Sequence, residues 1–177
     1  MDGRDERDIR AFIPIDERGS GLVAYLQDRA VMDELRSTMR TYLVRDILTD
    51  ELVGYFSLKA GLVSVNEERY GESVEFDTIP GIELANFAMD GSFRKSHPEA
   101  RGCGKAIFND LVLPIVEYAA EVVGVAVLYI FSLPEERVIS NYETYGFRRL
   151  RGEAELSLHA RLKPRYDQQC VFMYAML

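Results

Sequence analysis

Six consecutive residues, Arg101-Gly102-Cys103-Gly104-Lys105-Ala106, have the make-up of an anion cradle. Glycine lets the backbone turn tightly, because no Cβ stands in the way. An apolar helical segment follows, so the amides from Gly102 to Ala106 point out of a helix N-terminus. The first turn there has no internal acceptors and sits at the positive end of the macrodipole. A phosphate or diphosphate fits such a turn. Arg101 adds paired donors and Lys105 adds charge nearby. The bland alternative is a plain surface turn. Two further places can carry chemistry: the run Asn141-Tyr142-Glu143-Thr144-Tyr145-Gly146-Phe147, and Glu83 inside an apolar stretch.

The elements that must position these residues follow from hydrophobic periodicity. Residues 1–8 read as a polar arm. Asp8 to Ile15 alternates as a half-buried strand, and 22–39 reads as one or two short helices. Thr41 to Ile47 and Leu52 to Val65 form a hairpin, followed by a polar surface loop at 66–79. Gly81 to Asp90 is a buried strand. Alternation puts Glu83, Ala85, Phe87 and Met89 on one face, and Leu84, Asn86, Ala88 and Asp90 on the other. After a loop at 91–103, a helix runs from Gly104 to about Val123. Pro114 kinks it, with the stripe Ile107, Leu111, Ile115, Tyr118, Ala119 and Val122 facing inward. Val125 to Phe131 is a strand buried on both faces. A helix from Leu133 ends at Gly146, a natural left-handed cap. Short strands at 147–150 and Val171 to Leu177 flank a charged segment at 151–169. The sum is an α/β fold with a mixed sheet, a single domain spanning 1–177.

The 177 residues suffice for one proper core, and 47% hydrophobic with 28% charged residues is ordinary for a globular chain. The formal charge of −8 argues against a nucleic-acid binder. A local basic patch can still hide in an acidic total. Cys103 and Cys170 have neither metal-ligand spacing nor a disulfide framework, so no metal site is expected. No apolar run approaches a bilayer span, and the charged start lacks the core of a signal peptide. A cytoplasmic address without membrane attachment is the expectation.

A buried strand, an Arg-x-x-Gly-x-Ala turn, a helix, an apolar strand and a helix ending in Tyr-x-x-x-Gly-Phe resemble the GNAT superfamily of N-acetyltransferases. The likeness covers roughly residues 40–150. It implies a mostly antiparallel central sheet flanked by helices, with the strand at 84–90 splaying in a V from the strand at 125–131. It implies acetyl-CoA as co-substrate. Arg101, Gly102, Cys103, Gly104, Lys105 and Ala106 would hold the diphosphate, while the main chain of Phe87, Ala88 and Met89 takes the pantetheine arm. Asn141 would help hold that arm. The runs Gly54-Tyr55-Phe56-Ser57-Leu58 and Ala88-Met89-Asp90-Gly91-Ser92-Phe93 look like the toxin-type acetyltransferases of toxin–antitoxin pairs, which acetylate aminoacyl-tRNA. In those enzymes a tyrosine four residues before the glycine of the Gly-Phe pair is catalytic, here Tyr142.

Transfer from a thioester then needs a neutral amine, an oxyanion and a proton for the departing thiolate. The resemblance gives the last task to Tyr142, whose hydroxyl suits it. The alternative is an aromatic that anchors its helix, with Tyr145 as packing partner. Glu83 is the candidate base for the amine proton, directly or through water, and Asn86 a candidate to orient substrate. Cys103 reads as a loop filler, His97 as an exposed loop residue, and His159 as a residue without a partner at any recognisable spacing. The expected function is acetyl transfer to an unidentified primary amine. A toxin-type enzyme and a non-catalytic CoA-binding regulator are the alternatives. The apolar final strand offers a route to a homodimer.

Overall fold

The computed structural model describes residues 3–15, 17–70, 73–150, 152–161 and 169–177. The chain groups into two compact units, Met1–Lys59 with Leu84–Val112, and Ala60–Glu83 with Leu113–Leu177. Two long strands pass through both. The sheet has six strands in the order β1-β2-β3-β4-β6-β5.

The first unit opens with helix α1 (Gly3–Ala11), where the sequence predicts a polar arm and then a strand. Ile9 is its buried position, and Phe12, just past its end and bonded back to the Ile9 carbonyl, is buried three residues on, a helical rather than an alternating interval. Asp5 and Asp8 both pair with Arg45 at 2.7 Å, and Arg4 pairs with Asp50, so the polar side is tied down as well. Helices α2 (Ser20–Asp28) and α3 (Ala30–Leu35) follow. Strand β1 (Arg40–Arg45) pairs antiparallel with β2 (Leu52–Tyr70), Arg40 opposite Leu58. Ile9, Phe12, Leu26, Ala30, Leu52 and Tyr55 form this unit's core, with Ala88 of β3 (Ser73–Met89) packed against it. The predicted loop at 66–79 is instead strand on either side of 71–72, which lie outside the described residues.

Past β3 the predicted loop contains a short helix, α4 (Gly91–Ser96). Asp90 caps it, its carboxylate accepting the Phe93 amide at 2.8 Å and the Ile13 amide at 3.1 Å. A 3-10 turn (Pro98–Ala100) leads to α5 (Cys103–Ile107). The helix then widens into a π turn at Phe108–Val112 before α6 (Leu113–Val123). Pro114 explains it. Its missing N–H and its ring clash with the carbonyl four residues back, and a π turn absorbs both. The extra residue also rotates the buried face. Phe108, Val112 and Val116 are the fully buried positions, whereas Leu111, Tyr118 and Val122 of the expected stripe are exposed.

In the second unit β3 pairs parallel with β4 (Val127–Ser132), Gly81 to Glu83 opposite Val127 to Tyr129. Helix α7 (Glu136–Thr144) precedes β5 (Arg148–Arg149), and α8 (Glu153–Arg161) lies inside the charged segment. The rest of that segment, 162–168, lies outside the described residues. Strand β6 (Val171–Met176) pairs antiparallel with β4 and with β5. It is flanked on both sides at Met173 and Tyr174, where β5 pairs with it. The core here is Val63, Val127, Tyr129, Leu158 and Phe172. Among the described residues no helix is long and apolar enough to cross a membrane.

Candidate active site

The anion turn has the backbone its glycines permit. Arg101 is extended (φ −61°, ψ 129°), and Gly102 is left-handed (φ 87°, ψ −2°) at the N-cap of α5. A Cβ at Gly102 would be strained in that region whatever the space around it. The Lys105 amide donates to the Gly102 carbonyl at 3.0 Å, so the amides the turn can offer an anion are those ahead of Lys105. Arg101, Lys105 and Ala106 are exposed, Cys103 and Gly104 half-buried, and Ile107 buried as the anchor of the helix. Arg94 reaches back from α4 to the Ala100 carbonyl at 3.4 Å, bracing the approach to the turn.

The same unit carries the far end of β3. Phe87, Ala88 and Met89 are half-buried and Asn86 is buried. Gly54 of β2 makes a close approach: a Cβ there would stand 2.5 Å from the Ala88 carbonyl oxygen. Asn86 ends a chain of polar contacts. Its amide donates to the Met39 sulfur at 3.7 Å, the Tyr25 hydroxyl donates to the same sulfur at 3.0 Å, and Tyr25, Thr41 and Ser57 share hydroxyl bonds of 3.2 and 3.0 Å. A thioether is a weak acceptor.

The second unit holds Glu83, Asn141 and Tyr142. Glu83 and Tyr129 are ladder partners, and the Tyr129 hydroxyl donates to Glu83 Oε2 at 3.5 Å. Burial first, and the Glu83 charge second, push the Tyr129 phenol above its ordinary value, so it stays protonated and remains a donor. Sequence reasoning passed over Tyr129, because only the parallel register of the two strands puts its hydroxyl beside Glu83.

Tyr142 stands in the last turn of α7, and the cap explains its place. The Phe147 amide bonds to the Tyr142 carbonyl at 3.1 Å and the Gly146 amide to the Glu143 carbonyl at 3.1 Å, with Gly146 left-handed at φ 94°. That is the paired-bond glycine cap, in which the residue after the glycine packs against the helix. The Tyr142 ring meets Phe147 edge-on at 5.6 Å and Tyr145 at 5.8 Å. The packing reading of Tyr142 has its geometry here: the ring anchors the end of the helix. Asn141 is exposed on α7.

Two histidine readings change. His97 is the C-cap of α4, stacked on Phe93 at 4.3 Å and 3.5 Å from Glu51, rather than an exposed loop residue. His159 has a partner after all, Glu155 one helical turn earlier at 3.8 Å. Four-residue spacing on α8 brings them together, a cue that appears only once the segment is read as helix.

No protein-family model matches the chain. Among solved structures it is similar to a tyrosine-to-phenylalanine mutant of the toxin AtaT bound to acetyl-CoA and the C-terminus of the antitoxin AtaR. The TM-score is 0.66 at 20% identity, over 96% of this chain and 85% of that one. A tyrosine-to-phenylalanine mutant of KacT gives a TM-score of 0.68 at 17% identity, over 97% and 90%. AtaT complexed with acetyl-methionyl-tRNAfMet gives 0.60 at 19%, over 93% and 85%. The chain has the fold of these proteins, the mixed α/β GNAT fold that the two motifs imply.

Proposed function

We propose that this chain transfers an acetyl group from acetyl-CoA to a primary amine. The observation that carries the reading is the left-handed Gly102 turn, flanked by exposed Arg101 and Lys105 and opening a helix. It occurs in a fold shared with a protein solved with acetyl-CoA. The amides of Gly102, Cys103 and Gly104, with Arg101 and Lys105, hold the diphosphate, and Ala106 keeps that turn small. The main chain of Phe87, Ala88 and Met89 and the Asn141 amide steer the pantetheine arm. The amine lone pair attacks the thioester carbonyl carbon, and the tetrahedral intermediate expels the thiolate as the C–S bond breaks. Tyr142 supplies the thiolate's proton, and Glu83 takes the proton from the amine. The test joins calorimetry with CoA to thiol release from acetyl-CoA in the presence of spermidine, free amino acids and a short peptide. Micromolar to millimolar uptake is expected, about the usual range for such co-substrates. Folded protein that takes up no CoA overturns the reading, and uptake without thiol release moves the chain to the non-catalytic regulators.

One observation favours a narrower reading, acetylation of an aminoacyl-tRNA by a toxin held in check by a small antitoxin. Residues 148–165 carry six Lys or Arg against two Glu, in a chain whose total is −8. Such a local excess is what a phosphate backbone needs. AtaT itself is solved with an acetylated methionyl-tRNA and with its antitoxin. Growth arrest on expression, relieved by Tyr142→Phe, supports this reading, and robust growth at high expression counts against it.

A further inference from the structure

We infer that Tyr129 is a positioning residue for Glu83, and that Gly61 is the space its hydroxyl occupies. The inference rests on the acetyltransfer reading for what Glu83 does, and on geometry for how Glu83 is held. Three strands meet at this point. Tyr129 on β4 is the ladder partner of Glu83 on β3, and its hydroxyl donates to Oε2. Gly61 lies on β2, where an added Cβ would fall inside the Tyr129 hydroxyl and stand 3.0 Å from its Cζ. Gly81 mainly clears another residue: a Cβ there would meet Val127 Cγ1 first, at 2.8 Å, and the Tyr129 ring at 3.1 Å. Glycine inside a strand weakens it and commonly marks close approach of another group. At Gly61 that group is the phenol.

The ring itself cannot swing away. Phe172 lies at 5.7 Å and Phe131 edge-on at 6.2 Å, within the cluster that includes Val63 and Leu158. None of these four residues titrates, and Glu83 is the charged neighbour that acts on the hydroxyl. On α8, Glu155 and His159 are engaged with each other and with Arg149. A buried hydroxyl needs a partner, and a donor on one carboxylate oxygen restricts the rotation of the whole carboxylate. This is how a supporting group orients a base without touching substrate.

The pairing is tested first without any substrate. In the full chain with labelled tyrosine, the Tyr129 hydroxyl proton should give a resonance protected from exchange, and Glu83→Gln should move it upfield as the charge-assisted bond becomes neutral. No movement means the groups do not meet, and overturns the inference. Kinetics with acetyl-CoA and the best acceptor of the panel above supply the second test. Tyr129→Phe keeps the ring and should lower kcat about tenfold, a fraction of what losing a base costs. KM for acetyl-CoA should stay within about twofold. Gly61→Ala should reproduce this pattern, and the double mutant should be no worse than Tyr129→Phe alone. Wild-type kcat in Tyr129→Phe, or full additivity of the pair, overturns the inference while leaving acetyl transfer intact. A protected, Glu83-dependent resonance in a chain that transfers nothing overturns the acetyltransfer reading, and the positioning role with it.

Discussion

The anion turn and the proposed catalytic side chains use the chain in opposite ways. Under the acetyl-transfer reading the groups that would work at Gly102 are main-chain amides, and Arg101 and Lys105 beside them are exposed. In the second unit they would be single side-chain oxygens, on Glu83 and Tyr142, with Tyr129 beside Glu83 in the ladder and the Tyr142 ring packed edge-on to Phe147. Main-chain binding depends on dihedral angles and tolerates changes of side chain. Side-chain chemistry depends on one atom and tolerates little at that atom. Binding and turnover should therefore separate cleanly under mutation.

The largest expected effect sharpens that contrast. Tyr142→Phe removes one oxygen and keeps the ring that meets Phe147 and Tyr145. Turnover should fall by about 10²-fold, the scale of losing a general acid. CoA affinity should stay nearly unchanged, as calorimetry would read. Wild-type turnover in this variant removes Tyr142 from the chemistry.

Gly102→Val attacks the other side. A β-branched residue at a φ of 87° is strained by roughly 1–2 kcal/mol, and the turn escapes by leaving the left-handed region. CoA affinity should drop by about tenfold, since 1.4 kcal/mol is one decade. Turnover at saturating acetyl-CoA should remain near wild type. A variant that loses turnover and keeps affinity would erase the contrast between the regions.

The smallest effect concerns another main-chain-built turn, between β1 and β2. The amides of Thr49 and Leu48 hold the Asp46 carboxyl below its ordinary value. A depressed carboxyl stabilises the fold above its unfolded pKa and loses that contribution as pH falls through the folded value. Asp46→Ala should thus be slightly less stable than wild type at neutral pH. Urea melts should show the gap closing as pH drops below the unperturbed value of 3.8. A gap that persists in acid would mean the side chain acts by packing instead.

Much of this was legible from residue types. Gly146 as a helix stop, β4 as a buried strand and the Gly102 turn all follow from local chemistry, which tertiary packing left alone. Where the reading failed, context won. Ile9, Ala11, Ile13 and Ile15 alternate like a strand, yet Ile9 and Phe12 bury a helical face while Asp5 and Asp8 grip Arg45. The polar 66–79 stretch hid the ends of two strands because sheet bonds use backbone, which polarity does not report. Asp90 followed by the Phe93 amide was a readable helix start that strand alternation masked. The Glu83–Tyr129 pair was out of reach, since parallel register between segments some 45 positions apart leaves no mark in either one alone.

The left-handed cap at Gly146 has a consequence for genetics. It fixes the exit of the helix that carries Tyr142, so under the acetyl-transfer reading any larger residue there would redirect the oxygen proposed as the acid. A saturation scan scored on activity will flag position 146 as strongly as its neighbour four places back. The hit will be a residue with no functional group at all, and its lesion will be one of aim.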